Sequence, residues 1–465
     1  MLARHAAEGC PASSSFRPVL AAALAESDAE QRDRALACLE ASPDAAPGLV
    51  RALRAELAPE ACADALAAPL LESPPEKLAS EIESLLFSLV VSGRLARLLE
   101  PPPELAPPFS KERFEQFLST TLEPWVVAQS LAIDQLSLEG SRLRGYARGV
   151  AAIAAGNADL RFVDMVRGVP LPEEIRADRE LSDAYYGALD QALEPRKARG
   201  RDAALVGLRA FAELGSVGDA RVDRARSLLS ELWSGSRVDA LDKLMLPELG
   251  PEDFATPERA LARALPTFYA SRLLSGVDAR DPKLLRAFVE RGLPKALRDG
   301  VDPTKLGAPA RTLFAHGFVK SGIRYFRAAD FRRAREVLEA GKPDDAGELL
   351  LALSTALERG PVDAAELLLK GPGVRGSFDV SALDAVADSK RRHAGMAAFD
   401  AAFVLGLAPG RDAPFWNEVA ARFDRAAKLL GGGPAAQRDP KTPAYQARQY
   451  AEAARATAQA LSQNR

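Results

Sequence analysis

The segment that decides the fold is Phe318–Gly341, FVKSGIRYFRAADFRRAREVLEAG. Its apolar residues recur at three- and four-residue spacing on both sides of a short break, as in two successive amphipathic helices. Gly322 and Ala334 are small, so two helix backbones could approach closely there. Tyr325 and Leu338 are large and would fill the space beside them. The segment therefore predicts a helical hairpin.

The same spacing continues outward along the chain in both directions. Strictly alternating apolar and polar runs flanked by hairpin dipeptides are nearly absent. Prolines and glycines separate the helical segments, and Pro195 with Gly200 is expected to divide a helix over Arg179–Leu193 from one over Arg201–Leu214. We expect an all-α protein, an α-solenoid of antiparallel helical hairpins in two or three blocks.

The hairpin at Phe318–Gly341 resembles a tetratricopeptide repeat. The resemblance lies in a small residue at the helix crossing, an aromatic residue one turn later, an acidic and aromatic turn, and two positions of the second helix. These residues are Gly322, Tyr325, Asp330, Phe331, Ala334 and Leu338. An aspartate at position 330 also suits a helix N-terminus. Other repeats of helical hairpins are alternatives to this family.

A second, partial copy follows, with Gly360 at its turn and Ala365 and Leu369 in its second helix. Its first helix departs from the pattern, because Leu353 stands at the small position. Recurring helical hairpins are the units from which solenoids are built. The resemblance therefore covers residues 318–372, and the rest of the chain only as helix pairs.

Two proline-rich segments are expected to divide the array. The run EPPPELAPP at 100–108 has five prolines in nine residues and predicts a stiff, extended connector. LPELGPEDFAT at 246–256 predicts a second joint. The expected parts are an N-terminal block (1–99) containing all cysteines, a middle block (109–245), a C-terminal repeat block (257–430), and a linker with a terminal helix (431–465).

Composition and charge restrict the function classes. Hydrophobic residues make up 47% and charged residues 27% of the chain, as in soluble globular proteins. The formal net charge of −3 is unlike the basic field of most nucleic-acid binders, so nucleic-acid binding is not expected unless the basic runs at 196–201, 332–335 and 390–392 line one face. The apolar stretch Leu85–Gly93 is too short to cross a bilayer, and no transmembrane helix is expected.

The N-terminal residues and the cysteines bear on the compartment. MLARHAAEGC lacks the apolar run of about 7–15 residues that a secretory signal needs, so no signal peptide is expected in the sequence as given. Cys10, Cys38 and Cys62 permit either one disulfide, with Cys38 and Cys62 as the expected pair, or three buried thiols. Cytoplasm and periplasm both stay open.

Sequence motifs of catalysis are missing. There is no HExxH, GxSxG or GxxxxGK[ST] pattern. The acidic pairs at 173–174 and 344–345 each follow a proline and are interpreted as helix caps. The GxGxxG pattern at 371–376 follows a helical segment instead of a strand, which favours a helix C-terminal glycine and loop over a dinucleotide site. We expect no catalytic residue, metal site or cofactor, and we interpret His316 as a packed helix residue.

The predicted function is a non-enzymatic scaffold for a protein or peptide partner, with the bacterial cell envelope as one candidate location. Large aromatic residues would either anchor that partner or pack between helices: Trp125, Tyr185, Tyr186, Trp233, Phe415 and Trp416. The alternative is an all-helical enzyme that acts on carbohydrate or peptidoglycan through dispersed carboxylates. A deep acidic cleft would favour the enzyme, and a shallow open groove would favour the scaffold.

Overall fold

The computed structural model describes residues 15–98, 101–107, 110–171, 173–232, 238–250, 255–276, 281–358, 378–389, 391–408, 411–431 and 439–463. All regular secondary structure in these ranges is helical, which confirms the all-α prediction. Several predictions concern residues that lie outside them: Cys10, Trp233, Gly360, Ala365, Leu369 and the pattern at 371–376.

The helices of the first half are α1 (Phe16–Ala25), α2 (Ala29–Cys38), α3 (Leu49–Leu57), α4 (Ala63–Glu72), α5 (Ser80–Leu98), α6 (Lys111–Phe117), α7 (Glu123–Ser141), α8 (Gly145–Arg167), α9 (Glu173–Ala177), α10 (Arg179–Leu214) and α11 (Ala220–Leu232). Side-chain caps set several starts. Asp28 accepts hydrogen bonds from the amides of Glu30 and Gln31, and Ser110 accepts one from Arg113.

The helices of the second half are α12 (Pro257–Ala264), α13 (Thr267–Leu273), α14 (Pro282–Val289), α15 (Lys295–Gly300), α16 (Ala308–Tyr325), α17 (Ala328–Glu339), α18 (Asp345–Glu358), α19 (Ser381–Asp388), α20 (Ala394–Gly406), α21 (Ala413–Leu429) and α22 (Pro443–Gln463). From α16 to α22, each described helix packs against the next described helix, and residues 359–377 between α18 and α19 lie outside the described ranges. This consecutive packing is what successive hairpins require.

The chain divides into two compact units, residues 1–214 with 220–225 and residues 215–219 with 226–465. In the first unit, α5 lies before the proline-rich connector and packs against α7 and α8, which lie after it. Val91 and Leu95 of α5 share one hydrophobic cluster with Ile133 and Phe162. Residues 101–107 are indeed non-helical. They nevertheless do not separate two bodies, because the helices on both sides share a core.

The second unit begins earlier than the joint at 246–256. The turn at 215–219 already belongs to it, since Val217 donates its amide to the carbonyl of Arg291 at 2.8 Å. The Arg291 guanidinium donates to the carbonyl of Gly218 at 2.9 Å. A Cβ on Gly292 would lie 1.9 Å from the Gly215 oxygen, so only glycine permits this approach.

Pro195 and Gly200 do not divide a helix as expected, because α10 runs without interruption over Arg179–Leu214. Pro195 lies on the exposed side of α10, and the helix packs along α8. A Cβ on Gly200 would lie 3.1 Å from Leu160, so the glycine allows close contact between the helices. Tertiary packing therefore outweighs the loss of a helical hydrogen bond at Pro195.

The cysteines differ from the expected pair. Cys38 is bonded in a disulfide, whereas Cys62 is a half-buried free thiol. Cys38 ends α2, which packs against α1 and α3. Cys62 lies in the short 3₁₀ helix Glu60–Cys62, which packs against α3, α4 and α5. The structure therefore contains no bond between Cys38 and Cys62.

The hairpin of α16 and α17 is present where the sequence predicts it. A Cβ on Gly322 would lie 2.8 Å from the Phe331 ring, which explains the small residue at this crossing. Ala334 and Leu338 are fully buried. Tyr325 is also buried, and its hydroxyl donates to the carbonyl of Ser216.

Asp330 has a larger role than a helix cap. It lies in the first turn of α17 and is 2% exposed. Arg298 donates to its Oδ1 at 2.8 Å, and Ser321 donates to its Oδ2 at 2.7 Å. Because a buried charge is costly unless it is paired and hydrogen-bonded, these contacts fix α17 against both partners.

Substituting Ala334→Arg should lower the free energy of unfolding of the second unit by about 3 kcal/mol or more, because a guanidinium would enter a packed helix contact. The control is Ala329→Arg, an exposed position of the same helix. Urea unfolding monitored by circular dichroism measures both variants. Equal unfolding midpoints for the two would contradict this packing of α17.

Candidate functional site

A cleft in the second unit combines charged, polar and apolar side chains. One wall is the non-helical segment Leu246–Gly250, which we call the strap. The opposite wall consists of Arg286 and Glu290 at the end of α14, with His316 and Lys320 on α16. The cleft is open to solvent and has a volume of about 490 Å³. This is within the range of about 300–1,000 Å³ in which proteins hold ligands.

His316 is the buried polar group of the cleft. Its side chain is 3% exposed, and it makes a hydrogen bond to the backbone of Pro247 in the strap. Because the Nδ1 atom is buried without a hydrogen-bond partner, the donor to the Pro247 carbonyl is Nε2. Burial, assisted by the positive charge of Lys320, lowers the pKa of His316 to about 3. The imidazole is therefore neutral near pH 7, with an unused acceptor at Nδ1.

Glu290 forms the centre of an ion-pair group beside His316. Lys320 Nζ lies 2.7 Å from its Oε2, and Arg286 Nη1 lies 3.3 Å from its Oε1. Burial raises the pKa of Glu290, but the hydrogen bond and charge of Lys320, together with Arg286 and Arg263, outweigh it and hold the pKa below its usual value. Glu290 is therefore ionised and neutralised by its neighbours.

A second buried group holds the residue that precedes the strap. Asp400 on α20 is 0% exposed, and its Oδ1 accepts the backbone amide of Met245 at 2.8 Å. Its Oδ2 is buried and has no hydrogen-bond partner. Burial raises the pKa of Asp400 well above its usual value, against the Met245 hydrogen bond. His316 thus attaches Pro247 to α16, and Asp400 attaches the nearby Met245 to α20.

The described aromatic residues proposed as partner anchors belong to both units, with Trp125, Tyr185 and Tyr186 in the first unit. Trp125 stacks on Phe162 with ring centroids 5.9 Å apart, and both Trp125 and Tyr185 pack against the hydrophobic cluster of Phe114. Tyr186 is half-buried beside Tyr185.

In the second unit, Phe415 and Trp416 contact each other edge to face at 5.7 Å and are half-buried. None of the described anchors lines the strap cleft.

The basic runs are largely neutralised by nearby carboxylates. Arg196, Lys197 and Arg199 pair with Asp134, Asp159 and Asp190. The run at 332–335 pairs with Glu336, Glu339 and Glu358, and Arg391 pairs with Glu348. These pairs fit the interpretation of balanced helix faces.

Within the described ranges, no three His, Cys, Asp or Glu side chains come together so as to hold a metal ion. The described helices also include none that is long and apolar enough to cross a membrane. No protein-family model, curated protein or solved structure matches the chain. The resemblance to tetratricopeptide repeats therefore rests on its residues alone.

Sequence reasoning identified His316 as a packed residue but missed the cleft around it. The strap falls in the joint predicted at 246–256, and Glu290 and Lys320 join it only in three dimensions. Asp400 did carry a signal, since AAFDAAF places one carboxylate within an otherwise apolar run of α20.

Substituting Asp400→Asn should change how stability depends on pH. The folded-state pKa of Asp400 lies above its value of about 3.9 in an unfolded chain. Asp400 therefore contributes most to the wild-type free energy of unfolding below about pH 4, and this contribution falls as the pH rises from there to the raised pKa. Because the amide cannot ionise, the variant should gain about 1 kcal/mol or more relative to wild type between pH 5 and 8.

The measurement is urea unfolding across that pH range. The control is Asp388→Asn on α19, which makes the same change at a carboxylate that is 69% exposed and paired with Arg425. Parallel pH profiles for wild type and Asp400→Asn would show that Asp400 ionises freely in the folded state.

Proposed function

We propose that the chain is a non-enzymatic interaction scaffold whose strap cleft receives a segment of a protein or peptide partner. The observation that carries this proposal is the state of the cleft. It is open, and Glu290, the half-buried carboxylate in its wall, is ionised and paired with Lys320. An open cleft whose carboxylate is already ionised and paired is suited to holding a ligand.

The titratable groups of the cleft are poorly suited to acid–base chemistry. A general acid such as that of a glycosidase needs a carboxyl pKa raised toward neutrality, whereas the pKa of Glu290 is lowered. A general base works best with a pKa near the working pH, and His316 lies near 3. These values favour binding over the alternative of a carbohydrate- or peptidoglycan-acting enzyme.

The consecutive packing from α16 to α22 supports a helical-repeat array as the frame of this scaffold. Such arrays usually bind partners along extended surfaces made by successive hairpins. In this proposal, the tetratricopeptide-like hairpin of α16 and α17 contributes two cleft residues, His316 and Lys320, from one face of α16.

The test is affinity purification of the full-length tagged chain from its native host at near-physiological salt, with two matched variants. Leu249→Glu places a charge in the strap, where Leu249 lines the cleft and is half-buried. Leu429→Glu makes the same change on α21, where the leucine is 43% exposed. We expect a stoichiometric partner that Leu249→Glu loses at least tenfold and Leu429→Glu retains.

Two results would overturn the proposal. One is recovery of wild type and both variants without a partner, which would favour the alternative of an enzyme. The other is equal recovery of the partner by Leu249→Glu and wild type, which would place the interaction away from the strap cleft. Circular dichroism of each variant confirms that it is folded.

A further inference from the structure

We infer that the exposed apolar stripe of α7, formed by Val127, Leu131 and Leu138, binds the same stripe of a second copy of the chain, with the two helices antiparallel. The stripe belongs to the first unit and shares no residue with the strap cleft.

Large apolar side chains are rarely exposed in the described part of the chain. Of the four that are, three form the stripe: Val127 is 49%, Leu131 57% and Leu138 59% exposed. Their spacings of four and seven residues place them on one side of the helix. The other side of α7 packs against α5 and α8, where Ile133 is fully buried. A helix that is apolar on both sides is usually covered on both, so the stripe is suited to a partner.

The stripe presents no unpaired charge to that partner. Residues 124–138 include one charged side chain, Asp134. Its Oδ1 lies 2.7 Å from Nη1 of Arg196, and it also pairs with Arg199. Covering a charged group that finds no partner is costly. The stripe therefore fits another uncharged apolar surface, and its own copy is such a surface.

The two ends of α7 carry opposite charges that are exposed. Glu123 begins the helix and Arg142 is its C-cap residue. Neither side chain forms an ion pair with any described residue. Parallel helices would bring like charges together at each end. A two-fold axis perpendicular to α7 makes the helices antiparallel, so that Glu123 of each copy meets Arg142 of the other.

The charged and the apolar contacts agree on one register. Val127 follows Glu123 by four residues, and Arg142 follows Leu138 by four. When Glu123 lies opposite Arg142 of the second copy, Val127 therefore lies opposite its Leu138, and the reverse contact forms as well. Leu131 is then within two residues of the axis. Such agreement is what a self-complementary, isologous surface requires.

The experiment is sedimentation equilibrium of the full-length chain between about 1 and 200 µM. One helix per copy makes a small interface, so we expect a reversible dimer with a Kd in the micromolar range. Leu131→Glu should raise the Kd at least tenfold, because two glutamates would face each other near the axis. Leu429→Glu makes the same change on α21, where the leucine is 43% exposed, and should leave the Kd unchanged. A non-reducing gel checks that Cys62 does not link the copies.

Two charge reversals test the direction and the register of the helices. Glu123→Arg and Arg142→Glu should each raise the Kd about threefold or more, because each turns both ion pairs into contacts between like charges. Both reversals in one chain should return the Kd to within about twofold of wild type, since the pairs form again with opposite polarity. Circular dichroism of each variant confirms that it is folded.

A chain that stays monomeric at the highest concentration would overturn the inference, and so would a dimer that Leu131→Glu leaves unchanged. A dimer that the combined reversal does not restore would also overturn it, because the copies would pair in another register. A monomer that binds vesicles of phosphatidylglycerol and phosphatidylcholine through Leu131 would assign the stripe to a membrane surface and reject the second copy. The strap cleft is tested separately, since Leu249→Glu should dimerise like wild type.

Discussion

The attachment of Met245 and the strap to two buried ionisable side chains is the constraint that positions this part of the second unit. His316 reaches the carbonyl of Pro247, and Asp400 accepts the amide of Met245. Both side chains keep one polar atom without a partner. Leaving such atoms buried is costly, but an apolar residue at either position would leave the Pro247 carbonyl or the Met245 amide without its hydrogen bond. Each polar side chain therefore satisfies one backbone group at the cost of one incomplete atom of its own.

The first unit buries its charges in a different way. Asp159 on α8 is 1% exposed, yet Arg196 and Arg199 of α10 both reach it, and Arg196 also binds Asp134 of α7. Burial raises the pKa of Asp159 to about 6, opposed by Arg196. Here the charges satisfy one another inside the helix packing.

Sequence periodicity predicted the helices and the α16–α17 hairpin because these depend on contacts between residues close in the chain. It did not predict the continuous α10, where packing on α8 overrides Pro195, nor the shared core across the proline-rich connector. The strap cleft was also out of reach, since Leu249, Glu290 and Lys320 meet only through the folding of separate segments. The repeat pattern identified Asp330, and His316 was expected to be a packed helix residue, but the partners of both come from elsewhere in the chain.

The turn at 215–219 has a consequence for how the chain is made. It lies between segments of the first unit, yet its hydrogen bonds are to Arg291 and Tyr325. At about 5–20 residues per second, translation needs roughly 4–15 s more to reach Arg291 after the turn has left the ribosome. During that interval the hydrogen bonds between the turn and Arg291 cannot form, so the second unit can complete its folding only after synthesis has passed Arg291. A fragment that begins at residue 226 would lack this turn and would leave the Tyr325 hydroxyl without its acceptor, the Ser216 carbonyl.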